Sequence, residues 1–240
     1  MTDTSAGILA GSAFFSIVIL IFAALVLLAK RAAGKRRAEM ENFCLANGFS
    51  FTTNGAAPGS PWDDDPGWKE LLPGGPPVAI KRLEIFGTGG DAEAKNGVHV
   101  PFGSGNLLFF DYSYSGGTGD SSRSYSHTVA LARVQAPLPG FHLRPARFLD
   151  RLAAMAGFNS IDLRGHEEFS KKYRLSGQDS KAVQMFFGPR AAVLEKSSGW
   201  HIKAGGNHIV LFNKEGRVPP ADYAAYIGEV KELLIAIGLS

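Results

Sequence analysis

The hydrophobic pattern of the chain begins with one long apolar run. Residues 6–29 read AGILAGSAFFSIVILIFAALVLLA, with no ionisable side chain and only Ser12 and Ser16 as polar interruptions. A helix of these 24 residues spans roughly 36 Å, which exceeds the hydrocarbon core of a bilayer, about 30 Å. The pattern predicts a transmembrane helix over 6–29, preceded by a short N-terminal tail, residues 1–5.

A cleaved signal peptide is the main alternative to a permanent anchor. Such a peptide has a basic start and an apolar stretch of about 7–15 residues. Here the tail MTDTS contains Asp3 and no lysine or arginine, and the apolar run is longer. We therefore expect an uncleaved, single-pass membrane anchor.

Basic residues follow the apolar run at once. They are Lys30, Arg31, Lys35, Arg36 and Arg37, and no lysine or arginine precedes the run. Because basic residues accumulate on the cytoplasmic side of membrane helices, this basic cluster predicts that the N-terminus is outside and the C-terminal domain cytoplasmic. Anionic lipid head groups are the partner expected for the cluster, beside the bilayer itself around residues 6–29.

The net charge of the chain reflects this topology. The chain carries a formal charge of +3, and five of its 25 basic and three of its 22 acidic residues lie within 1–41. The remaining residues are nearly neutral, so they offer no basic face for nucleic acid. The lone Cys44 forms no internal disulfide, which agrees with a cytoplasmic domain; we expect it to be packed, with S-palmitoylation as the alternative.

Beyond the anchor, the pattern changes to short strands and amphipathic helices. A basic juxtamembrane helix is predicted over 30–48 with Gly48 at its end, and residues 49–240 form one soluble domain. Aromatic and β-branched runs around glycine-rich turns predict two hairpins, 106–114 with 125–134 and 199–204 with 208–213. Other strands are predicted for 49–52, 78–86 and 169–175, and helices for 146–156, 180–187 and from Pro219 onward. Paired strands with helices between and after them predict an α+β fold, an antiparallel sheet with helices on one face.

Two glycine-rich segments have a composition found in calcium or dinucleotide sites, but neither has all the features that such a site requires. Residues 54–77 form a Pro/Gly/Asp-rich loop, in which Asp63, Asp64 and Asp65 lack the ligand spacing of a calcium loop. Residues 87–92, GTGGDA, fit the fingerprint G-x-G-x-x-G/A, but the chain breaks at Gly97 before an apolar helical face develops. We therefore expect loops at both places, with no metal and no cofactor.

Five segments carry a family resemblance: LANGFSF, FDYSY, HTVALARV, PLPGFHLRP and EEFSKKYRL, at 45–51, 110–114, 127–134, 137–145 and 167–175. With the N-terminal span, they resemble a family of uncharacterised bacterial proteins that are anchored by one membrane helix. The resemblance extends over most of the chain. Its motifs consist of aromatic residues that pack in a core and of turn residues. The resemblance implies a fold and an anchor, and it brings no activity, substrate or catalytic residue.

Candidate chemistry centres on Asp111, which interrupts the most apolar strand. Alternation along the strand places Phe109, Asp111 and Ser113 on one face. If that face is open to solvent, the Asp111 carboxylate is simply exposed. If it is buried, the carboxylate is either paired with an arginine or histidine or serves as a functional acid. The six histidines, His99, His127, His142, His166, His201 and His208, are scattered without metal-ligand spacing. Motifs for a serine nucleophile or a phosphate loop do not occur.

Two functions follow from these observations. The first is a membrane-tethered, cytoplasm-facing binding or scaffolding domain, which would meet a protein partner at the membrane. The alternative is a membrane-tethered, hydrolase-like enzyme that uses Asp111 with His127, His201 or His208. That alternative requires a concave site holding Asp111 and at least one of these histidines.

Overall fold

The computed structural model describes residues 3–53, 90–103, 105–116, 123–146, 160–197, 199–213 and 216–239. The predicted anchor lies in one continuous helix, α1 (Asp3–Asn47), which at 1.5 Å per residue is about 68 Å long. Its part Phe15–Asn47 is long and apolar enough to cross a membrane, and the side chains at 15–35 are all exposed. The helix ends where Gly48 takes φ +68°, a left-handed conformation that glycine adopts without steric cost.

The domain is built on an antiparallel sheet, as the sequence predicts. Its strands are β1 (Ser50–Thr52), β2 (Gly90–Phe102), β3 (Gly105–Gly116), β4 (Arg123–Pro145), β5 (Tyr173–Gly177) and β6 (His201–Phe212). The hydrogen-bonded order is β1-β2-β3-β4-β5, and β6 pairs with β4. The predicted first hairpin is confirmed, since β3 pairs with β4 from Leu107↔Ala132 to Gly116↔Arg123.

The second predicted hairpin lies within β6. A fully extended strand would separate His201 from Phe212 by more than 30 Å, yet their rings stack at 4.6 Å with an interplanar angle of 8°. The chain therefore reverses between them, and Gly206, with φ +58°, supplies the left-handed residue near the middle. Both arms of this turn pair with β4. The side-chain amide of Asn207 also donates hydrogen bonds to the β4 carbonyls of Val134 and Gln135.

Short helices complete the described fold: α2 (Glu167–Lys172), α3 (Ser180–Phe187), α4 (Ala191–Lys196) and α5 (Tyr223–Ala236), with a 3₁₀ turn at Pro220–Asp222 before α5. The α5 helix buries Tyr223, Tyr226, Ile227, Val230, Leu233 and Leu234. These side chains join one hydrophobic cluster with the sheet face that carries Leu107 and Phe109, called the core face below. The α+β prediction with helices on one face is thus confirmed.

Local expectations differ from the structure at three places. The glycine-rich stretch expected as a loop is a strand from Gly90, with register shifts on both sides of Lys95. Residues 169–172 form the end of α2 rather than a strand, and β4 continues through Pro137 to Pro145 with two register shifts. In each case pairing with a neighbouring strand or helix packing outweighs local propensity. The loop predicted at 54–77, the strand at 78–86 and residues 147–156 of a predicted helix lie outside the described residues.

Candidate functional site: a buried ion pair between the N-terminal helix and the sheet

Asp111 lies on the core face of β3 and is 2% exposed. Its partner across the ladder is Thr128 on β4, which is also buried. A carboxylate in such a place must have hydrogen-bond donors, because an unpaired buried charge costs several kcal/mol. Of the three states that the sequence leaves open for Asp111, the structure has the interior ion pair.

The cation is Arg36 of α1, 75 positions earlier in the chain. Its Nε donates to Oδ2 of Asp111 at 2.7 Å, and its Nη2 donates to Oδ1 at 2.8 Å. This is a bidentate pair, in which the planar fork of the guanidinium matches both carboxylate oxygens. The pair fixes the direction of α1 relative to the sheet as well as its distance.

Two neutral side chains complete the shell of Asp111. Nδ2 of Asn96 donates to Oδ2 at 2.9 Å, and the hydroxyl of Thr128 donates to Oδ1 at 3.2 Å. Each carboxylate oxygen therefore accepts two hydrogen bonds. A carboxylate with this many donors is held as a structural anion, with its acceptor positions occupied.

A bulge in β2 brings Asn96 to this position. The register of β2 against β3 shifts between Lys95 and Val98, and Asn96 has φ +55°. Such a bulge re-aims one side chain, and asparagine is among the few residues that tolerate the left-handed conformation. The bulge thus allows the Asn96 side chain to donate a hydrogen bond to the Asp111 carboxylate.

Thr128 extends the network toward α5. Its hydroxyl accepts a hydrogen bond from the Val218 amide at 2.8 Å, and its carbonyl accepts one from the Tyr226 hydroxyl at 3.1 Å. The Asp111 shell consequently joins α1, three strands and the helix α5.

Apolar contacts surround the ion pair on α1. Met40 and Cys44, one and two turns beyond Arg36, are 0% and 1% exposed. The ring of Phe43 packs against Phe49 and Tyr223, with centroids at 5.9 and 5.7 Å. The C-terminal end of α1 is therefore part of the domain core, and Cys44 is packed as expected, out of reach of acylation.

Tyr223 is the polar group at the centre of this junction. It is 0% exposed, and its hydroxyl has no hydrogen-bond partner among the described residues. Burial, followed by the nearby Asp111 carboxylate, raises the pKa of the phenol well above its ordinary value, so the group stays neutral. It contributes packing between Phe43 and Phe109.

The basic cluster divides into two parts. Arg36 has a side chain 14% exposed and bound to Asp111, whereas Lys30, Arg31, Lys35 and Arg37 are exposed. Lys35 forms only a surface pair with Glu39 at 3.7 Å. Four of the five basic residues predicted to contact lipid head groups are thus exposed to solvent. The fifth, Arg36, is bound to Asp111 instead.

The histidines lie apart from Asp111. His127 pairs with Tyr112, next to the Asp111–Thr128 pair, so alternation points it to the opposite face of the sheet. There its ring contacts Phe212 at 4.9 Å, and Phe212 stacks on His201. His208 pairs with Arg133 farther along β4.

The geometry that the enzyme alternative requires is therefore not formed. Within the described part of the chain, no group of three or more histidine, cysteine or acidic residues could hold a metal ion. The aspartates 63–65 lie outside that part.

Sequence reasoning identified Asp111 but not its shell. Asn96, Thr128 and Tyr226 carry no local signal, and in the sequence Arg36 looks like one more member of the basic cluster expected at lipid head groups. The one available hint was the requirement that a buried Asp111 have an arginine or histidine partner.

Comparison with known proteins adds little to this geometry. No protein-family model matches the chain, and no curated protein matches it in sequence. Among solved structures, it is similar to the crystal structure of the mycobacterial trehalose monomycolate transport factor A, TtfA, with 12% identity and a TM-score of 0.46. The alignment covers 88% of this chain and 98% of that chain. We draw no functional conclusion from this likeness, and the resemblance to a family of single-span bacterial proteins stays a prediction.

Proposed function

We propose that this chain is a single-pass membrane protein whose C-terminal domain faces the cytoplasm and acts as a binding or scaffolding module. In this role the anchor restricts an interaction surface to the bilayer. The domain contacts a protein partner there.

The observation that carries the proposal is the incorporation of α1 into the domain core. Arg36, Met40 and Cys44 fix the helix on the sheet without a flexible joint, and Ala29, the last residue of the apolar run, lies only seven residues before Arg36. Because the helix and the sheet are joined rigidly, the domain has one fixed orientation relative to the plane of the membrane. Such a constraint benefits a protein that must meet partners in a fixed geometry.

The orientation rests on the basic cluster. Its four exposed members lie between the apolar run and the domain, and positive charge at this place favours retention on the cytoplasmic side. The absence of a basic residue before the run makes the asymmetry strong.

The same ion pair argues for a binding role over catalysis. Asp111 is the one carboxylate that the sequence singles out, and its four hydrogen bonds leave no position for a substrate. A general acid or base must reach the proton that it transfers.

Topology is tested with reporters fused after Ser240 of the full chain. A fluorescent protein that folds only in the cytoplasm should be bright, and alkaline phosphatase at the same position should be inactive. A cysteine at Thr4 provides the control, because a membrane-impermeant maleimide added to intact cells should label Thr4→Cys in the tail before the apolar run. Active phosphatase after Ser240 would contradict the orientation.

The binding role is tested by exchanging the anchor. Residues 6–29 are replaced by an unrelated apolar span of equal length, and partners are captured by crosslinking in membranes. The exchanged protein should retain the wild-type partners, and a chain that lacks 1–29 should lose them. Recovery of the chain alone from every membrane preparation would contradict the proposal.

A further inference from the structure

The ion pair determines which end of the sheet is nearest the membrane. Arg36 contacts Asp111, whereas Phe43, two turns farther from the bilayer, contacts Tyr223, whose ring lies 6.2 Å from Phe109. Moving away from the membrane along α1 therefore corresponds to moving backward along β3. Residues after Asp111 in β3 must point toward the membrane.

The path after α1 gives the same direction independently. The Phe49 amide bonds to the Cys44 carbonyl where the helix ends, and β1 then contacts α1, with Phe49 and Phe51 packed on the cluster that contains Met40 and Cys44. The chain therefore turns back along the helix. The β1 strand then runs parallel to β3, because each pairs antiparallel with β2. The strand direction of β3 is consequently opposite to that of α1.

Simple lengths place the end of the β3–β4 hairpin at the bilayer surface. From Asp111 to Gly116 the strand advances about 17 Å at 3.3 Å per residue. From Arg36 back to Ala29, the last residue of the apolar run, the helix rises only about 10 Å. Even with a crossing angle of about 40° between helix and strand, the strand still rises about 13 Å, past the level of Ala29.

The residues at this end have the character of a membrane interface. We define the hairpin end as 113–116 of β3 with 123–126 of β4. On the core face it carries serine hydroxyls, including the Ser113 and Ser126 pair at 3.1 Å. On the opposite face Tyr114 and Tyr125 stack at 5.2 Å, and Tyr125 is 38% exposed. Tyrosines are enriched where proteins meet lipid head groups.

Two arginines supply positive charge at the hairpin end. Arg123 is exposed on β4, and Arg217 donates a hydrogen bond to the Ser113 hydroxyl at 3.2 Å. The neighbouring charges on β2, Glu93 and Lys95, form an ion pair with each other at 2.5 Å. Their charges offset, so among the side chains that the structure describes here the net positive charge comes from Arg123 and Arg217, beside the exposed cations of α1.

We propose that the hairpin end is a second membrane contact, in which Arg123, Arg217 and the Tyr114–Tyr125 stack engage the anionic lipid head groups of the bilayer that α1 spans. The contact rests on the proposed anchoring of the chain and deepens it by naming how the domain meets the lipid. It holds the rigid unit of α1 and the domain at a second point, so that the unit cannot tilt in the bilayer and lift the hairpin end from the lipid surface. The occupant is the lipid surface rather than a protein, because the hairpin end is brought to that surface by the helix itself.

The test places a fluorescent label at each end of one hairpin in the full chain. Ser124→Cys marks the hairpin end, and Asn106→Cys marks the far end of β3; both positions are exposed. Cys44 is 1% exposed and is the one native cysteine, so labelling of folded protein is selective, and unlabelled wild type verifies this. The proteins are reconstituted in vesicles of phosphatidylcholine mixed with phosphatidylglycerol, with a quencher attached to a lipid head group.

The label at Ser124→Cys should be quenched severalfold more strongly than the label at Asn106→Cys. Arg123→Gln with Arg217→Gln should let the unit of α1 and the domain tilt, and should lower the ratio of molecules whose hairpin end contacts lipid to those tilted away from it about fivefold for each charge removed. The control Arg133→Gln with Lys181→Gln, two exposed cations outside the hairpin end, should leave the quenching unchanged. Thermal unfolding of each variant verifies that the fold is retained.

Equal quenching at the two labels would overturn the inference. Quenching that is unaffected by the two arginine substitutions, or is the same in pure phosphatidylcholine, would overturn the role of anionic lipid. Failure of the proposed function has a different signature, since a domain on the outer side of the membrane is detected by protease added to intact cells. The two failures are therefore distinguishable.

Discussion

Removing the Arg36 side chain should destabilise the protein more than neutralising Asp111. The reason is the unequal burial of the two partners, whose side chains are 14% and 2% exposed. In Arg36→Met, the Asp111 carboxylate keeps only the Asn96 and Thr128 donors and cannot reach water. In Asp111→Asn, the guanidinium can turn toward solvent along its flexible stem.

The magnitude follows from the geometry of the pair. Two unit charges about 4 Å apart interact by about 4 kcal/mol at an effective dielectric constant of about 20. Removal of one partner from a buried pair costs about 3–5 kcal/mol, because the other charge is left unpaired. We expect a loss of about 3–4 kcal/mol for Arg36→Met and about 1–2 kcal/mol for Asp111→Asn, where part of that cost is relieved by solvent. The double variant should lose less than the sum, by about 2 kcal/mol, because it leaves no isolated charge.

The assay is urea unfolding of the full chain in a mild detergent, followed by the fluorescence of Trp200 and the other two tryptophans. Lys35→Met on the same helix is the matched control. Its side chain is 78% exposed and its pair with Glu39 is superficial, so its effect should stay within about 0.5 kcal/mol. An Arg36→Met variant as stable as Lys35→Met, or additive losses in the double variant, would refute the reasoning.

Other substitutions test the packing and titration of the domain. Gly228→Ala, inside α5 with open space at its Cβ position, should raise the unfolding free energy by about 0.5–1 kcal/mol. Gly177→Ala should lower it by about 1–3 kcal/mol in the same assay, because its Cβ would lie 2.6 Å from the Gly140 carbonyl oxygen. Burial lowers the pKa of His99, so the unfolded state binds the proton more readily, and stability should fall as pH drops below about 6.5, by at most about 1.4 kcal/mol per pH unit. His99→Gln should reduce that pH dependence and leave the part due to His208, whose pKa is also lowered by burial; an unchanged profile would contradict the role of His99. The Cys44 thiol should react with a maleimide only after unfolding, and rapid reaction of the native protein would show that α1 is not docked as described.

Local signals in the sequence suffice for several elements. The apolar run, the glycine after α1 and the two hairpins each arise from contiguous residues whose conformational preferences agree with the final fold. The α5 helix can also be predicted from the sequence, because its apolar positions recur at spacings of three and four and two prolines precede its start. Agreement between local preference and tertiary packing makes such segments predictable.

The site was only partly predictable, because its contacts are long-range. Asp111 stands out as a charge in an apolar strand, but Arg36 is 75 residues away and lies among four other cations with the same local appearance. Asn96 was hidden in a glycine-containing stretch that is typical of loops. Only pairing with β3 makes that stretch a strand, and only the bulge turns Asn96 toward the carboxylate.

The docking of Arg36, Met40 and Cys44 on the sheet predicts that α1 and the domain form one rigid unit. This prediction is tested most directly by the distance between spin labels at Ala33→Cys on α1 and Ser124→Cys on β4, measured by double electron–electron resonance in the full chain in lipid nanodiscs. A single narrow distance distribution is expected, and Arg36→Met should broaden it. A broad or multimodal distribution in the otherwise unsubstituted protein would mean that the domain moves freely on its anchor, which would contradict the account.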